Sequence, residues 1–308
     1  MTSFRYRDRE TIIHRANPFG KLAWAGSILV VALIVDSPLL LAILFMSTIP
    51  VVLAAQVGRE WASFMRFALY LCVAIIVINT LVSYHGTHVL VEAPFRIPVM
   101  GTPVITLEAI VYGAAMCLRL LAIVSAFAIV TFTVHPDDMM LAMIGLRLPY
   151  RSVLVASLSS RFMPTLIDDA ERITDVQRCR GLELDRGQLV QKVRGRMAVL
   201  IPLLSNSLDR TVQVAEAMES RAFGSGRKRT FYKRITWSAV DVVGLMAALS
   251  PLAFGVFVRL GGYASYQYYP TLGRLDLSSL DWSMLVILAV LVTAVVPVAV
   301  VKRKVELD

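Results

Sequence analysis

Long apolar segments dominate this chain and constrain its fold more than any other feature. A helix needs about 20 mainly apolar residues to cross a bilayer. The hydrophobic fraction of 57% also exceeds the roughly 45–50% of an ordinary soluble domain. We therefore predict an all-α, polytopic membrane protein with about six transmembrane helices. The approximate bounds of the six apolar runs are Leu22–Val35, Leu39–Val57, Phe67–Val82, Val104–Thr133, Trp237–Val258 and Met284–Val301.

The basic residues are distributed unevenly between the two sides of such a protein. Of the 31 Lys and Arg residues, 27 fall in the segments 1–21, 58–66, 134–236 and 302–308, which all lie on one side. Positively charged segments are retained on the cytosolic side of a membrane. The topology therefore accounts for the net charge of +9 without a nucleic-acid partner. We predict a multi-pass protein of the cytoplasmic membrane with both termini in the cytosol.

The charged segment 134–236 divides the chain into three predicted regions. Residues 1–133 hold four spans, residues 134–236 form a cytosolic region between spans four and five, and residues 237–308 hold two spans. Apolar residues at three- and four-residue steps predict two long amphipathic helices in the cytosolic region. The apolar stripe of the first helix is Val155, Leu158, Phe162, Leu166, Ala170 and Ile173, and that of the second is Ile201, Leu204, Leu208, Val212, Ala215, Met218 and Ala222. These stripes can pack on each other, on the membrane surface or on a partner.

The two amphipathic helices end in similar triplets. The first, from about Arg151, closes with Cys179-Arg180-Gly181, and the second closes with Ser220-Arg221-Ala222. A cation in the last turn and a glycine soon after it are also ordinary features of a helix C-terminus, because of the helix dipole and the left-handed cap. Their presence on paired helices of one segment favours a shared function.

These triplets resemble those of the transmembrane T components of energy-coupling factor (ECF) transporters, the CbiQ/EcfT-type proteins. That family carries an Ala-Arg-Gly-like triplet at the end of each of two cytosolic coupling helices. Here cysteine replaces the first alanine, and the second triplet lies in an Ala-Met-Glu-x-Arg-x-Phe context. The resemblance covers about residues 15–225 and includes the segments Asn17–Lys21, Leu146–Pro149, Arg161–Pro164 and Pro202–Leu204.

The resemblance implies a non-catalytic subunit of an ATP-driven importer. In this family each coupling helix docks in a groove of one ATPase subunit, where its arginine meets an acidic residue. The implied partners are two ABC-type ATPase subunits at the cytosolic face and a membrane-embedded S component that binds a vitamin or a transition-metal ion such as cobalt or nickel. No cofactor is implied. The implied ATPase-coupling residues are Cys179, Arg180, Gly181, Ser220, Arg221 and Ala222.

Other functional classes lack the residues that they require. The chain has no G-x-x-x-x-G-K-[ST] phosphate loop, so it is not itself the ATPase. A membrane-embedded enzyme needs convergent catalytic groups, and none is evident in the spans. A self-sufficient secondary carrier usually shows internal repeats of spans, whereas the cytosolic insert divides this chain into four spans and two. Both remain alternatives to the coupling function.

A few polar residues in apolar surroundings are also candidate site residues. Arg119 lies within the fourth run, where it either lines a substrate path or pairs with Glu108 or a polar group of a neighbouring helix. We favour pairing. His85 and His88, with Glu92 nearby, provide too few groups for a typical metal centre, so we predict no metal site.

Overall fold

The computed structural model describes residues 11, 13–14, 16–82, 88–92, 104–135, 138–139, 142, 149–181, 189–225, 238–263, 266–269, 273 and 279–307. The chain divides into two compact units. The first unit comprises Met1–Met139 and Thr236–Asp308, and the second comprises Met140–Ile235. The predicted limits of the three regions stay a prediction.

Helices form most of the described chain. The first unit contains α1 (Pro18–Ile34), α2 (Pro38–Ala55), α3 (Gly58–Val82), β1 (Val89–Glu92), β2 (Val104–Thr106), α4 (Leu107–Thr133), α7 (Ala239–Leu260), α8 (Ser279–Thr293) and α9 (Val295–Leu307). The second unit contains α5 (Tyr150–Cys179) and α6 (Leu189–Ser220).

Among the described residues, five segments are long and apolar enough to cross a membrane: Pro38–Ala55, Gly58–Thr80, Leu107–Thr133, Ala239–Leu260 and Asp281–Val301. The apolar helix α1 is shorter, with 17 residues. The predicted all-α, polytopic class is confirmed. The sequence did not predict the antiparallel pair β1 and β2, which joins the ends of α3 and α4.

The third span begins earlier than its hydropathy suggested. Helix α3 starts at Gly58, whereas the predicted apolar run starts at Phe67. Arg59 and Arg66 interrupt the apolar run, but both side chains are exposed and the helical hydrogen bonding continues past them. A hydropathy pattern places the start of a span after the last charged residue. The helix itself starts where the backbone hydrogen bonding starts, which here is at Gly58.

Helix α1 lies in the core of the first unit. Asn17 caps its start, because the side-chain oxygen accepts a hydrogen bond from the Phe19 N–H at 3.1 Å, and Pro18 fits the first helical position. Val31 and its neighbours on the same face are fully buried. At Gly255 of α7, an added Cβ would lie 2.8 Å from a Val31 methyl carbon. The two helices therefore pack closely only because position 255 is glycine.

Two cations hold α1 and α4 together at both ends of α1. Lys21 is 6% exposed, and its Nζ donates to the Thr133 carbonyl at the end of α4 at 2.8 Å. In return, Arg119 of α4 donates to the Val35 carbonyl at the end of α1 at 2.8 Å. The C-terminus of a helix carries a partial negative charge and unpaired carbonyl groups. Each helix thus supplies the cation that caps its neighbour.

Asp36 completes the site around Arg119. Its carboxylate accepts hydrogen bonds from Arg119 at 3.0 Å and from Arg259 of α7 at 3.2 Å. The Tyr268 hydroxyl donates to the Asp36 carbonyl at 2.5 Å. Burial raises the pKa of Tyr268, an effect that the charge of Arg119 opposes, so the phenol stays protonated as a donor. The turn between α1 and α2 is therefore tied to α4, to α7 and to the segment 266–269.

Arg119 is paired, as predicted, but its carboxylate partner is Asp36 and not Glu108. Glu108 is fully buried at the start of α4. It accepts hydrogen bonds from the backbone N–H of His88 at 3.1 Å and pairs with the His88 Nδ1 at 2.8 Å. Glu108 therefore anchors the β1–β2 pair to α4.

The last apolar segment is broken between α8 and α9. Pro297 lies inside α9 and has no N–H to donate to the Thr293 carbonyl. Just before the break, the Val292 carbonyl accepts a hydrogen bond from the Trp24 Nε1–H of α1 at 3.0 Å. The buried Trp24 side chain therefore ties α1 to α8 directly beside the break.

We expect Lys21→Met to destabilise the first unit by about 1–3 kcal/mol, because buried carbonyl acceptors would lose their donor. Methionine keeps the length of the side chain but not its hydrogen bonds. Thermal unfolding of the detergent-solubilised protein measures the effect. Arg66→Met, at an exposed position of α3, is the control and should change the unfolding temperature little. Equal unfolding temperatures for the two variants would contradict the capping role of Lys21.

Candidate functional site

The first predicted triplet lies at the C-terminus of α5. Cys179 is the last helical residue, and Arg180 is the capping residue that follows it. Gly181 has a φ of 81°, which is the left-handed conformation that glycine adopts without strain. Its N–H donates to the Arg178 carbonyl at 2.9 Å. The triplet therefore forms a left-handed helix cap.

The second triplet closes α6 in the same way. Arg221 follows the last helical residue, and Ala222 has a φ of 54°. The Ala222 N–H donates to the Glu219 carbonyl at 2.8 Å, and the Phe223 N–H donates to the Met218 carbonyl at 2.9 Å. These two bonds together define a Schellman motif. Phe223 is thereby turned back toward the last turn of the helix.

The two triplets therefore occupy equivalent backbone positions. In each, the first residue ends the helix, the arginine caps it and the third residue is left-handed. The pairs of equivalent residues are Cys179 and Ser220, Arg180 and Arg221, and Gly181 and Ala222. The conformation explains why a glycine-like residue stands third, since a left-handed residue other than glycine costs about 1–2 kcal/mol.

Both capping arginines point outward from the chain. Their side chains are exposed. Within the described part of the chain, neither guanidinium forms an ion pair. An external carboxylate can reach each guanidinium, because both side chains are exposed. Arginine suits this task because its planar fork binds a carboxylate with two parallel hydrogen bonds.

Helices α5 and α6 pack against each other in opposite directions. Arg210 of α6 forms an ion pair with Asp169 of α5 at 3.0 Å. Gln177, further along α5, donates to the carbonyl of Ala198, which lies earlier in α6, at 3.2 Å. The two helices are therefore antiparallel.

The ion pair lies midway between the two triplets. On α5, Arg180 follows Asp169 of the ion pair by eleven positions, and on α6, Arg221 follows Arg210 by the same number. At about 1.5 Å per residue, each arginine is about 16 Å further along its helix. Because the helices are antiparallel, the two arginines extend to opposite sides of the ion pair.

Most of the predicted apolar stripe of α6 does not pack on α5. The large side chains from Ile201 to Val212 are exposed, with Ile201 at 65% and Leu208 at 66%, whereas Met218 is half-buried. The half-buried positions of α6 follow a different face, which includes Leu203, Ser207 and Val214. On α5, by contrast, most of the predicted stripe is half-buried and Val155 is exposed. Mutual covering therefore does not account for the stripe of α6.

In the ranges described above, no three His, Cys, Asp or Glu side chains are grouped as a metal site. His85 and the side chain of Glu92 lie outside what the structure describes, so the prediction for them is untested. Cys72 and Cys117 are buried between α3 and α4, and Cys179 is exposed at the first triplet.

A family model described as CbiQ, Cobalt transport protein, matches residues 9–232. The chain belongs to this family. The matched residues include α1 to α6 and both triplets, and end before α7. The predicted family membership is therefore confirmed over the region in which the resemblance was found.

Curated relatives of this family member cover most of its length. One is the energy-coupling factor transporter transmembrane protein EcfT of Bacillus selenitireducens, which is 28% identical over 254 residues, or 80% of this chain and 92% of the relative. The protein of the same name from Streptococcus thermophilus is 29% identical over 258 residues, or 80% and 94%. The one from Listeria innocua is 26% identical over 261 residues, or 81% and 96%.

Sequence reasoning missed several residues that shape this family member. The Asn17–Lys21 segment was noted only as a resemblance, although Asn17 caps α1 and Lys21 caps α4. Asp36 is not among the residues that the sequence analysis singles out. Asp36 could have been found from sequence, because it is a carboxylate beside a predicted span boundary and the intramembrane Arg119 requires a partner.

The left-handed residues give a matched pair of predictions. We expect Ala222→Gly to stabilise the end of α6 by about 1 kcal/mol, because glycine relieves the strain of a positive φ. Gly181→Ala should destabilise the end of α5 by a similar amount. Hydrogen exchange of the last-turn amides, measured by mass spectrometry in lipid nanodiscs, reports both effects. Changes of the same sign at the two ends would contradict the assignment.

Proposed function

We propose that this chain is the transmembrane coupling subunit of an ECF-type ABC importer. Two ATPase subunits dock at Arg180 and Arg221, and their ATP-driven motion is transmitted to a membrane-embedded S component. The observation that carries this proposal is the equivalence of the two triplets: two exposed arginines, which form no ion pair among the described residues, cap two antiparallel helices. The names of the curated relatives, energy-coupling factor transporter transmembrane proteins, support it.

Charge favours docking of acidic partners at both ends. An exposed guanidinium on a helix cap presents its donors to a carboxylate on a docking subunit, and it stays charged when the interface excludes water. A buried charge-assisted pair contributes more than a solvent-exposed pair. The residues of the two triplets, Cys179, Arg180, Gly181, Ser220, Arg221 and Ala222, form the proposed ATPase-coupling site.

The packing of α5 and α6 supports transmission of motion between the ends. The Asp169–Arg210 ion pair and the Gln177 hydrogen bond link the helices at two separate points. Displacement of one helix end therefore acts on the other helix as well. In this proposal α5 and α6 move together as one rigid body.

The exposed apolar stripe of α6 favours contact with a partner that is also apolar. Contiguous exposed apolar surface on a protein usually marks an interface or membrane contact. We assign the stripe from Ile201 to Val212 to the S component, which supplies specificity for a vitamin or a transition-metal ion. The proposal places the chain in the cytoplasmic membrane with both termini in the cytosol, in keeping with the distribution of its basic residues. It assigns ATP hydrolysis to the partner subunits and no catalysis to this chain.

Charge reversal at the two caps tests the proposal. We expect Arg180→Glu combined with Arg221→Glu to abolish both co-purification of the ATPase subunits and ATP-dependent uptake, because a carboxylate would face a carboxylate. Membrane insertion and the unfolding temperature should stay as in the wild type.

The matched control reverses one exposed arginine of α5 that is away from both caps, Arg172→Glu. This variant should still assemble and transport. If the cap variant assembles and supports uptake as the control does, the docking role of Arg180 and Arg221 is wrong.

A further inference from the structure

The end of α7 presents an arginine beside two exposed apolar side chains. Helix α7 has 22 residues, so it is about 33 Å long and can cross a hydrocarbon core of roughly 30 Å. Arg259 is its second-last residue, which places it at the level of the lipid headgroups. Phe257 and Leu260 are 66% and 84% exposed. The last turn of α7 therefore offers apolar surface to acyl chains and a cation to headgroups.

Arg259 belongs to a cluster in which positive charge is in excess. The Asp36 carboxylate accepts hydrogen bonds from Arg119 at 3.0 Å and from Arg259 at 3.2 Å. Two guanidinium groups thus share one carboxylate. Within the described ranges of the chain, neither arginine forms an ion pair with a second carboxylate. One positive charge of the cluster is therefore left without a counter-charge from these residues.

Arg259, and not Arg119, can offer this charge to another molecule. The Arg119 side chain is 18% exposed, whereas that of Arg259 is 47% exposed. A guanidinium group has five N–H donors, and the hydrogen bond to Asp36 uses one donor of Arg259. No further side-chain partner of Arg259 lies in the part of the chain that the structure describes. The planar fork of arginine can bind a phosphate group through two parallel hydrogen bonds.

The cap of α7 turns Tyr263 back onto the end of the helix. Gly262 has a φ of 80°, and its N–H donates to the Arg259 carbonyl at 3.1 Å, while the Tyr263 N–H donates to the Val258 carbonyl at 3.2 Å. The Tyr263 ring lies against Gly261, where an added Cβ would be 2.9 Å from the ring Cδ2. Half of Tyr263 stays exposed. Exposed tyrosines are typical of the headgroup level of a membrane, because the ring is apolar and the hydroxyl is polar.

We propose that the end of α7 binds an anionic phospholipid such as phosphatidylglycerol. The lipid phosphate accepts hydrogen bonds from the Arg259 guanidinium, and its acyl chains pack along Phe257 and Leu260. Tyr263 lies at the level of the glycerol and ester groups. An anionic headgroup neutralises the excess charge of the cluster, whereas a zwitterionic headgroup also brings a cation to it. The site is separate from the two triplets and does not depend on the coupling function.

The apolar surface of the last turn favours a lipid over a free phosphate ion. A free ion would bind a half-exposed arginine through charge alone, in competition with water and salt. A lipid adds contact between its acyl chains and the two exposed apolar side chains, which increases its affinity. The charge and the apolar surface of this helix end therefore act on the two parts of one ligand.

Native mass spectrometry of the detergent-solubilised full chain, titrated with phosphatidylglycerol, tests the site. The wild type should bind one phosphatidylglycerol molecule at this site in preference to phosphatidylcholine. We expect Arg259→Gln to weaken this binding by about tenfold or more, because charge-assisted hydrogen bonds to the phosphate are lost. Arg172→Gln removes an exposed arginine of α5 and is the matched control. It should bind the lipid as the wild type does.

Two further variants separate lipid binding from stability, since Arg259→Gln also removes a hydrogen bond to Asp36. Arg259→Lys keeps the charge and should retain most of the binding. Phe257→Ala leaves the charged cluster intact and should weaken binding severalfold through lost acyl-chain contact. The unfolding temperature of each variant, measured without added lipid, shows whether the fold is retained. Unchanged lipid binding by Phe257→Ala would contradict the acyl-chain part of the site.

A phosphatidylglycerol with a photoactivatable group near its glycerol locates the bound lipid in nanodiscs. Crosslinks should map to the last turn of α7 and to Tyr263, and should be lost in Arg259→Gln. Equal binding by Arg259→Gln and the wild type, or equal binding of phosphatidylglycerol and phosphatidylcholine, would overturn the proposal. Displacement of the lipid by millimolar inorganic phosphate would show that the site takes a free anion instead, and crosslinks confined to other helices would also contradict it.

Discussion

The reciprocal capping of α1 and α4 is the interaction on which the first unit depends. Two cations in an apolar helical bundle are costly unless their donors are satisfied, and here both are directed at carbonyl groups that would otherwise be unpaired. Lys21 closes the end of α4, and Arg119 closes the end of α1 and binds Asp36. These contacts pair the Lys21 Nζ and the Arg119 Nη2 with carbonyl groups at the helix termini. Arg259 and Tyr268 extend the network to the C-terminal part of the chain.

The second unit uses backbone conformation in place of buried charge. At the ends of α5 and α6 the arginines are exposed, and it is the left-handed residue after each that fixes where the helix stops. The structure therefore separates two roles that the triplet combines in sequence. The third residue determines the geometry of the helix end, and the arginine supplies the charge.

Much of this architecture followed from sequence because it depends on local patterns. Long apolar runs predicted the bundle, and three- and four-residue periodicity predicted α5 and α6. Pairing between distant residues was not accessible in this way, since Asp36 and Arg119 are brought together only by the packing of α1 against α4. The stripe of α6 was recognised, but the face that packs on α5 was not, because Ser207 and Arg210 are polar and an apolar count ignores them. The left-handed Ala222 also escaped notice, since alanine gives no indication of a positive φ.

The position of the Asp169–Arg210 ion pair has a geometric consequence. Two arms of equal length extend from it in opposite directions, each closed by the same cap. A single polypeptide has no symmetry axis of its own, yet this arrangement approximates a two-fold rotation about the ion pair. A pair of like subunits related by such an axis would meet one arm each at equal radius.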